Sequence, residues 1–200
     1  MKRGKLIVFE GVDGGGKSTQ LKRIAAALRA RGIDILETGE PTKGLWGRKI
    51  REMARTTDRV PRETELAWFL KDRREHMRDT VGPALAAGRV VLCDRSYFST
   101  VAYQGARGFD PAKLLAESQA EFGRPDLVLF FDIDAETGLA RVAARGGTHE
   151  PAFEELNYLE QVAENFRALE VEEMVRIDAS RDEDAVAQDV RTAVDRVVGE

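Results

Sequence analysis

The stretch Phe9-Glu10-Gly11-Val12-Asp13-Gly14-Gly15-Gly16-Lys17-Ser18-Thr19-Gln20 decides the fold. It sets four glycines, one lysine and two hydroxyl residues between an apolar run and an alanine-rich one. Gly11 to Ser18 satisfies the pattern G-x-x-x-x-G-K-[ST]. Glycines let the backbone turn without Cβ clashes and bring its N–H groups onto phosphate oxygens. The N-terminus of the helix that follows adds partial positive charge. Lys17 then reaches the β and γ phosphates of a nucleotide, and Ser18 can ligate Mg²⁺. The bland alternative is a glycine turn with an incidental lysine. It is disfavoured because the pattern follows a strand-like run and opens a helical one. Gly11, Val12, Asp13, Gly14, Gly15, Gly16, Lys17, Ser18 and Thr19 are therefore the candidate nucleotide-binding residues.

Outward from this loop, short apolar runs alternate with helical patterns. Strands are expected at Leu6–Phe9, Ile33–Leu36, Val90–Cys93 and Leu127–Phe131, with a weak fifth at Met174–Ile177. Helices are expected at Lys17–Arg31, Leu45–Arg55, Arg62–Ala87, Ala135–Arg145, Glu154–Glu172 and Asp182–Val198. Gly82-Pro83 should kink or break the third of these. Continuous apolar strands are typical of a parallel sheet covered on both faces. The pattern thus predicts an α/β three-layer fold of the P-loop NTPase type: a five-stranded parallel sheet with helices on both faces. Ligands collect at the carboxyl ends of such strands, where Glu10-Gly11, Glu40-Pro41 and Asp94-Arg95 stand.

Two hundred residues fit a single domain, 1–200. The net charge of −4 argues against nucleic acid or an anionic membrane as a general partner. No apolar stretch reaches the ~20 residues that span a bilayer. The single cysteine, Cys93, lies in an apolar run and excludes an internal disulfide, which fits a reducing, cytoplasmic setting. His76 and His149 show no metal-ligand spacing with it.

A phosphate loop implies a nucleotide without implying a kinase. A guanine-nucleotide switch would need N/T-K-x-D and apolar-D-x-x-G segments, and neither is present. Other segments point to a second ligand. Phe69 and Arg73 stand at i and i+4, so an aromatic plane and a guanidinium share one helix face and can stack a base and bond its carbonyl edge. Asp94-Arg95 ends an apolar strand, where an arginine suits phosphate recognition. Ser99 and Tyr103 share a polar helical segment, and Arg48 and Arg51 follow Glu40-Pro41.

With these residues in view, the chain resembles the thymidylate kinase family. The matching pieces are FEGVDGGGKSTQ, the EP of TGEPT, GRKIR, ELAWFLKDRREH, PALAAGRVVLCDRSYFSTVAYQG and RPDLVLFFDIDAETGLARVAARG. DRSYFSTVAYQG is the most specific. The resemblance implies transfer of the γ-phosphoryl group of ATP to dTMP with Mg²⁺, in dTTP synthesis. Another nucleoside monophosphate such as dUMP, or a switch without kinase activity, is the alternative. It implies that Asp13 meets the sugar and phosphate region of the acceptor and that Phe69 stacks thymine while Arg73 bonds its edge. It also implies that Arg51 and Arg95 hold the acceptor phosphate. Ser99, Thr100 and Gln104 sit by the acceptor, and Tyr103 lies under the sugar. Arg141 lies near adenine, and Ser18 with Asp94 organises the metal. Family members are usually homodimers.

Two departures stand out. Gly39–Gly44 and Ser96 differ from the usual R-E-P-G-G-T and from the tyrosine after Asp-Arg. The loop positions between Gly11 and Gly16 hold no arginine, so a short lid, about residues 146–153, should supply the cation. Arg145 is its first candidate, beside Lys17, Arg95 and Asp13 as the catalytic set; His149 is a weaker one. Gly146-Gly147 suits a hinge.

Overall fold

The computed structural model describes residues 3–57, 59–146 and 155–199. The predicted lid, apart from Gly146, and with it His149 and Gly147, lies outside the described residues. Five strands, β1 (Lys5–Glu10), β2 (Ile35–Gly39), β3 (Val90–Asp94), β4 (Leu127–Asp132) and β5 (Met174–Asp178), form one sheet in the order β2-β3-β1-β4-β5. Every pairing is parallel. β1, β3 and β4 are almost wholly buried, which is why their sequences are unbroken apolar runs.

The helices are α1 (Lys17–Ala30), α2 (Leu45–Ala54), α3 (Arg62–His76), α4 (Gly82–Ala86), α5 (Tyr97–Gly105), α6 (Pro111–Phe122), α7 (Ala135–Ala144), α8 (Leu156–Arg167) and α9 (Glu183–Val198). α1 packs on α9 through Leu21, Ile24, Ala25 and Leu28 against the Val186, Val190 and Val194 stripe. α5 packs on α6 and α8, and α8 meets β4 where Phe166 stacks on Phe130 at 5.3 Å. Asp110, Asp134 and Asp182 cap α6, α7 and α9 by accepting backbone N–H bonds.

Three expectations change. β2 begins two residues later than predicted and runs on to Gly39, because Ile33 N–H closes the end of α1 on Leu28 O while Gly39 pairs with Asp94. Gly82-Pro83 does not break the helix: the backbone stays helical, and Met77–Val81 widens into a π turn in which Gly82 N–H reaches Met77 O. The wider turn relieves the crowding that the proline ring would cause against the preceding carbonyls. α6 was not foreseen, although Asp110-Pro111 and Gly123 mark its ends.

The strand register sets the site. Phe9 and Gly39 both lie opposite Asp94. Arg95 N–H donates to Phe9 O and Glu40 N–H to Asp94 O, both at 2.9 Å. Glu10, Glu40 and Arg95 therefore leave the sheet side by side at its carboxyl edge.

Candidate active site

The phosphate loop wraps from β1 into α1. Gly11, Gly14 and Gly16 have φ of 132°, 86° and 86°, a region that costs glycine nothing. Close approach adds a second demand at Gly14: a Cβ there would stand 2.2 Å from Gly138 O on α7, and one at Gly138 would stand 2.5 Å from Asp13 O. Sequence reading missed Gly138, whose role appears only when α7 is laid against the loop. Lys17 is buried; its Nζ donates to Gly11 O (3.0 Å) and Val12 O (2.9 Å) and lies 3.6 Å from Asp13 Oδ1. Burial pushes its pKa down and Arg95 adds to this, while Asp13, Asp94 and Glu10 oppose it.

Arg95 joins this loop to the cleft beyond. Its Nη2 donates to Asp13 Oδ1 (2.7 Å), its Nη1 to Gly11 O (3.1 Å) and Ser99 Oγ (3.0 Å), and its guanidinium lies 5.3 Å from the Tyr103 ring. Among the described residues it is the only non-glycine with positive φ, at 71°. Burial works to raise the Asp13 pKa, but Arg95 and Lys17 hold it well below the usual carboxylate range. Beneath Arg95 the fully buried Glu10 accepts from Ser96 N–H (2.7 Å), Ser96 Oγ (2.7 Å) and Ser99 Oγ (2.5 Å). Burial pushes its pKa up in spite of these donors. Ser96, the departure from the usual tyrosine, thus has a role of its own: it caps α5 and binds Glu10.

A cleft opens beside Arg95. It gathers Asp13, Arg51, Phe69, Arg73, Arg95 and Tyr103 on one wall or another, with Ser99 and Thr100 at its α5 side. Phe69 is half-buried and belongs to neither apolar core cluster, so its ring is a cleft wall. Arg73 is 2% exposed; its Nε donates to Glu40 Oε2 and its Nη2 to Thr100 Oγ1, both at 2.9 Å. Its Nη1 is buried and makes no hydrogen bond. An unpaired guanidinium nitrogen is costly, and a carbonyl edge in the cleft would satisfy it. Burial pushes the Tyr103 hydroxyl pKa up, so the group stays a phenol. Arg51 lines the cleft while donating to Pro41 O (2.6 Å) and Thr42 O.

Gln104 is not brought to the cleft. It is fully buried, and its Nε2 donates to Glu65 Oε1 at 2.7 Å, so that carboxylate, which also pairs with Arg59 and Arg107, claims the amide. Arg141 and Arg145 line a separate cleft with Gly14, Gly15, Gly16 and Thr19. Arg141 donates to Ala179 O (2.8 Å), and Arg145 Nε donates to Arg141 O (3.1 Å). Ser18 Oγ donates to Asp94 Oδ2 at 2.6 Å, and Asp94 Oδ1 is buried without a partner. A hydroxyl and a carboxylate beside the phosphate loop suit Mg²⁺, which takes one or two protein oxygens and fills its octahedron with phosphates and water. Among the described residues no cluster of three acidic, His or Cys groups competes for that role.

Comparison with known proteins decides what this arrangement belongs to. The thymidylate kinase family model matches residues 9–190. This chain belongs to the thymidylate kinase family. It is 43% identical to the thymidylate kinase of Desulfotalea psychrophila over 94% of this chain and 92% of that protein. It is 42% identical to that of Akkermansia muciniphila over 96% and 92%. With that of Xanthomonas euvesicatoria the identity is 40% over 96% and 83%. Membership explains why two clefts meet at one phosphate loop: the family's reaction passes a phosphoryl group from one nucleotide to another. No helix among the described residues is long and apolar enough to cross a membrane.

Proposed function

We propose that this protein transfers the γ-phosphoryl group of ATP to the phosphate of dTMP, giving dTDP. The observation that carries the reading is the cleft beside Arg95, where Phe69, Arg73 and Arg95 line one space next to the phosphate loop. ATP takes the phosphate loop, with its base in the cleft of Arg141 and its phosphates on Gly11 to Thr19. Phe69 stacks thymine and Arg73 donates to its carbonyl edge. Arg51 and Arg95 hold the acceptor phosphate, and Tyr103 fills the space under the sugar, where it disfavours a 2′-hydroxyl. Ser18 and Asp94 would hold Mg²⁺, which when bound would supply charge neutralisation to the ATP phosphates.

The chemistry follows from charge. Phosphoryl transfer has a loose transition state, so the protein contributes alignment and electrostatic stabilisation. The acceptor phosphate is already an anionic nucleophile, and no general base is required. Lys17 and Arg95 stand side by side at the reacting groups, both facing Asp13 Oδ1. Arg145, at the end of α7, is the candidate for the further cation. Assaying a panel of nucleoside monophosphates with ATP and Mg²⁺ tests the proposal: dTMP should be turned over fastest and dUMP slowly, since one methyl is worth only ~1–3 kcal/mol. A protein that phosphorylates none of them is not a kinase of this kind.

A homodimer fits the surface of α2 and α3. Leu45 is 51% exposed, and Trp46, Leu66, Trp68 and Leu70 are only partly buried and packed in neither core cluster. Sedimentation should give twice the chain mass. A reducing cytoplasm suits Cys93, whose buried thiol has its pKa pushed up and stays protonated.

A further inference from the structure

The β2–α2 loop that walls the acceptor cleft is held from below by one turn of α3. Asp72, 1% exposed, accepts from Thr42 N–H (2.7 Å) and Thr42 Oγ1 (2.6 Å). Next to it Arg73 binds one oxygen of Glu40. One turn on, His76 Nδ1 lies 3.0 Å from the other oxygen, Glu40 Oε1, and His76 Nε2 lies 2.7 Å from Thr38 Oγ1 on β2. His76 is 4% exposed and is absent from the acceptor cleft. A carboxylate only accepts, so Nδ1 carries the proton shared with Glu40, and Nε2 is left for the Thr38 hydroxyl. The Glu40 carboxyl pKa is lowered: burial opposes ionisation, but the Arg73 charge and the His76 bond outweigh it.

We propose that His76 is a positioning residue for acceptor recognition. It fixes the Glu40 carboxylate, which fixes the Arg73 guanidinium so that Nη1 faces the acceptor base. The carboxylate of Glu40 would otherwise be free to rotate about its last bond and carry the guanidinium with it. Held by Arg73 on one oxygen and by His76 on the other, it has one orientation. A buried polar chain of this kind gives geometric definition, here to Glu40 through both of its oxygens. Phe69 supplies attraction to any base, whereas the direction of Arg73 decides which edge is read. His76 therefore acts on the discrimination between acceptors and on their affinity, and leaves the ATP side alone.

The proposal rests on the acceptor reading above, and its test separates the two. Steady-state kinetics on His76→Leu should show KM for dTMP raised roughly tenfold, with kcat and the KM for ATP within about twofold of wild type. His76→Asn keeps a donor where Nδ1 stands and should recover most of that loss. In an Arg73→Ala background, His76→Leu should add less than about twofold, because the group it positions is gone. Thr38→Val, which removes only the hydroxyl, should raise the dTMP KM about threefold and serves if His76→Leu folds poorly. Losses that fall equally on ATP and dTMP and follow the fall in Tm would make His76 merely structural. Full additivity with Arg73→Ala would also overturn the proposal. A wild-type protein that phosphorylates another monophosphate but not dTMP would sink the proposed acceptor, and the same variants would then test the clamp on that monophosphate.

Discussion

Replacing Arg95 by alanine tests the site where its two halves join. In the structure the guanidinium makes four side-chain and carbonyl bonds, to Asp13, Gly11 O, Ser99 and, at 3.5 Å, the Tyr103 hydroxyl, and its side chain is 16% exposed. On the proposed reading, the fork turns two donors toward the acceptor phosphate. Charge-assisted bonds are worth about 1.5–3 kcal/mol each, so losing two costs about 3–6 kcal/mol. At one decade per ~1.4 kcal/mol, kcat/KM for dTMP should fall by roughly 10²–10⁴. Stability should change far less, because the Asp13 carboxylate left behind is 55% exposed and keeps Lys17 nearby. The backbone supplies a control. Arg95 has φ of 71°, which an alanine must still adopt and a glycine adopts freely. Arg95→Gly should therefore be as inactive as Arg95→Ala yet more stable by about 1 kcal/mol. Coupled-assay kinetics and urea titration on both variants measure this. A kcat/KM within tenfold of wild type in Arg95→Ala would refute the assignment. Equal stability of the two variants would refute the reading of the backbone.

Three further outcomes follow from other parts of the site. Phe69→Ala should weaken dTMP binding by ~1–3 kcal/mol in calorimetry and leave ATP binding unchanged, since base–aromatic stacking is of that size; equal losses would return Phe69 to the core. Gly138→Ala should lower kcat/KM for ATP at least tenfold, because its Cβ would stand 2.5 Å from Asp13 O and push the phosphate loop. A wild-type rate there would show that the loop yields without cost. Asp13 and Glu40 both have lowered carboxyl pKa values: burial opposes the shift, and Arg95 with Lys17, or Arg73 with His76, overcomes it. The unfolded chain then binds more protons, so this stabilisation is full above the ordinary carboxylate range, about pH 4–4.5, and is lost as the pH falls below it. Glu10, with its raised pKa, works in the opposite sense. The Tm should drop between about pH 5 and pH 3, less steeply in Asp13→Asn, and a Tm indifferent to acid would contradict both assignments.

Some of this was legible in the chain itself. The phosphate loop is local: eight consecutive residues, the strand before them and the helix after them carry the whole signal. Phe69 and Arg73 were legible because helical spacing puts i and i+4 on one face without any tertiary knowledge. Gly138, Glu10 and His76 were not, since each matters through a partner far off in sequence, at Asp13, Ser96 and Glu40. That Gln104 stands outside the cleft was hidden for the same reason. Its position one residue after Tyr103 says nothing of the buried Glu65 that takes its amide. The π turn at Met77–Val81 escaped because the rule for proline in a helix allows several outcomes and the packing chooses among them.

What ties the two clefts into one site is a shared carboxylate. Lys17 belongs to the phosphate loop and Arg95 to the turn after β3, yet both face Asp13, at 3.6 Å and 2.7 Å. Two cations brought this close in a buried place repel one another, which is part of why the Lys17 pKa is pushed down. Asp13 offsets that repulsion and fixes their separation. Lys17 is further held by the carbonyls of Gly11 and Val12, and Arg95 by that of Gly11. These are neutral acceptors. Phosphate oxygens, being charged, outcompete carbonyls for the same donors. On the proposed reading, both cations can therefore exchange those carbonyls for nucleotide phosphates while keeping Asp13 between them. On the proposed reading, the cost of assembling two positive charges is met when the chain folds, not when the substrates arrive.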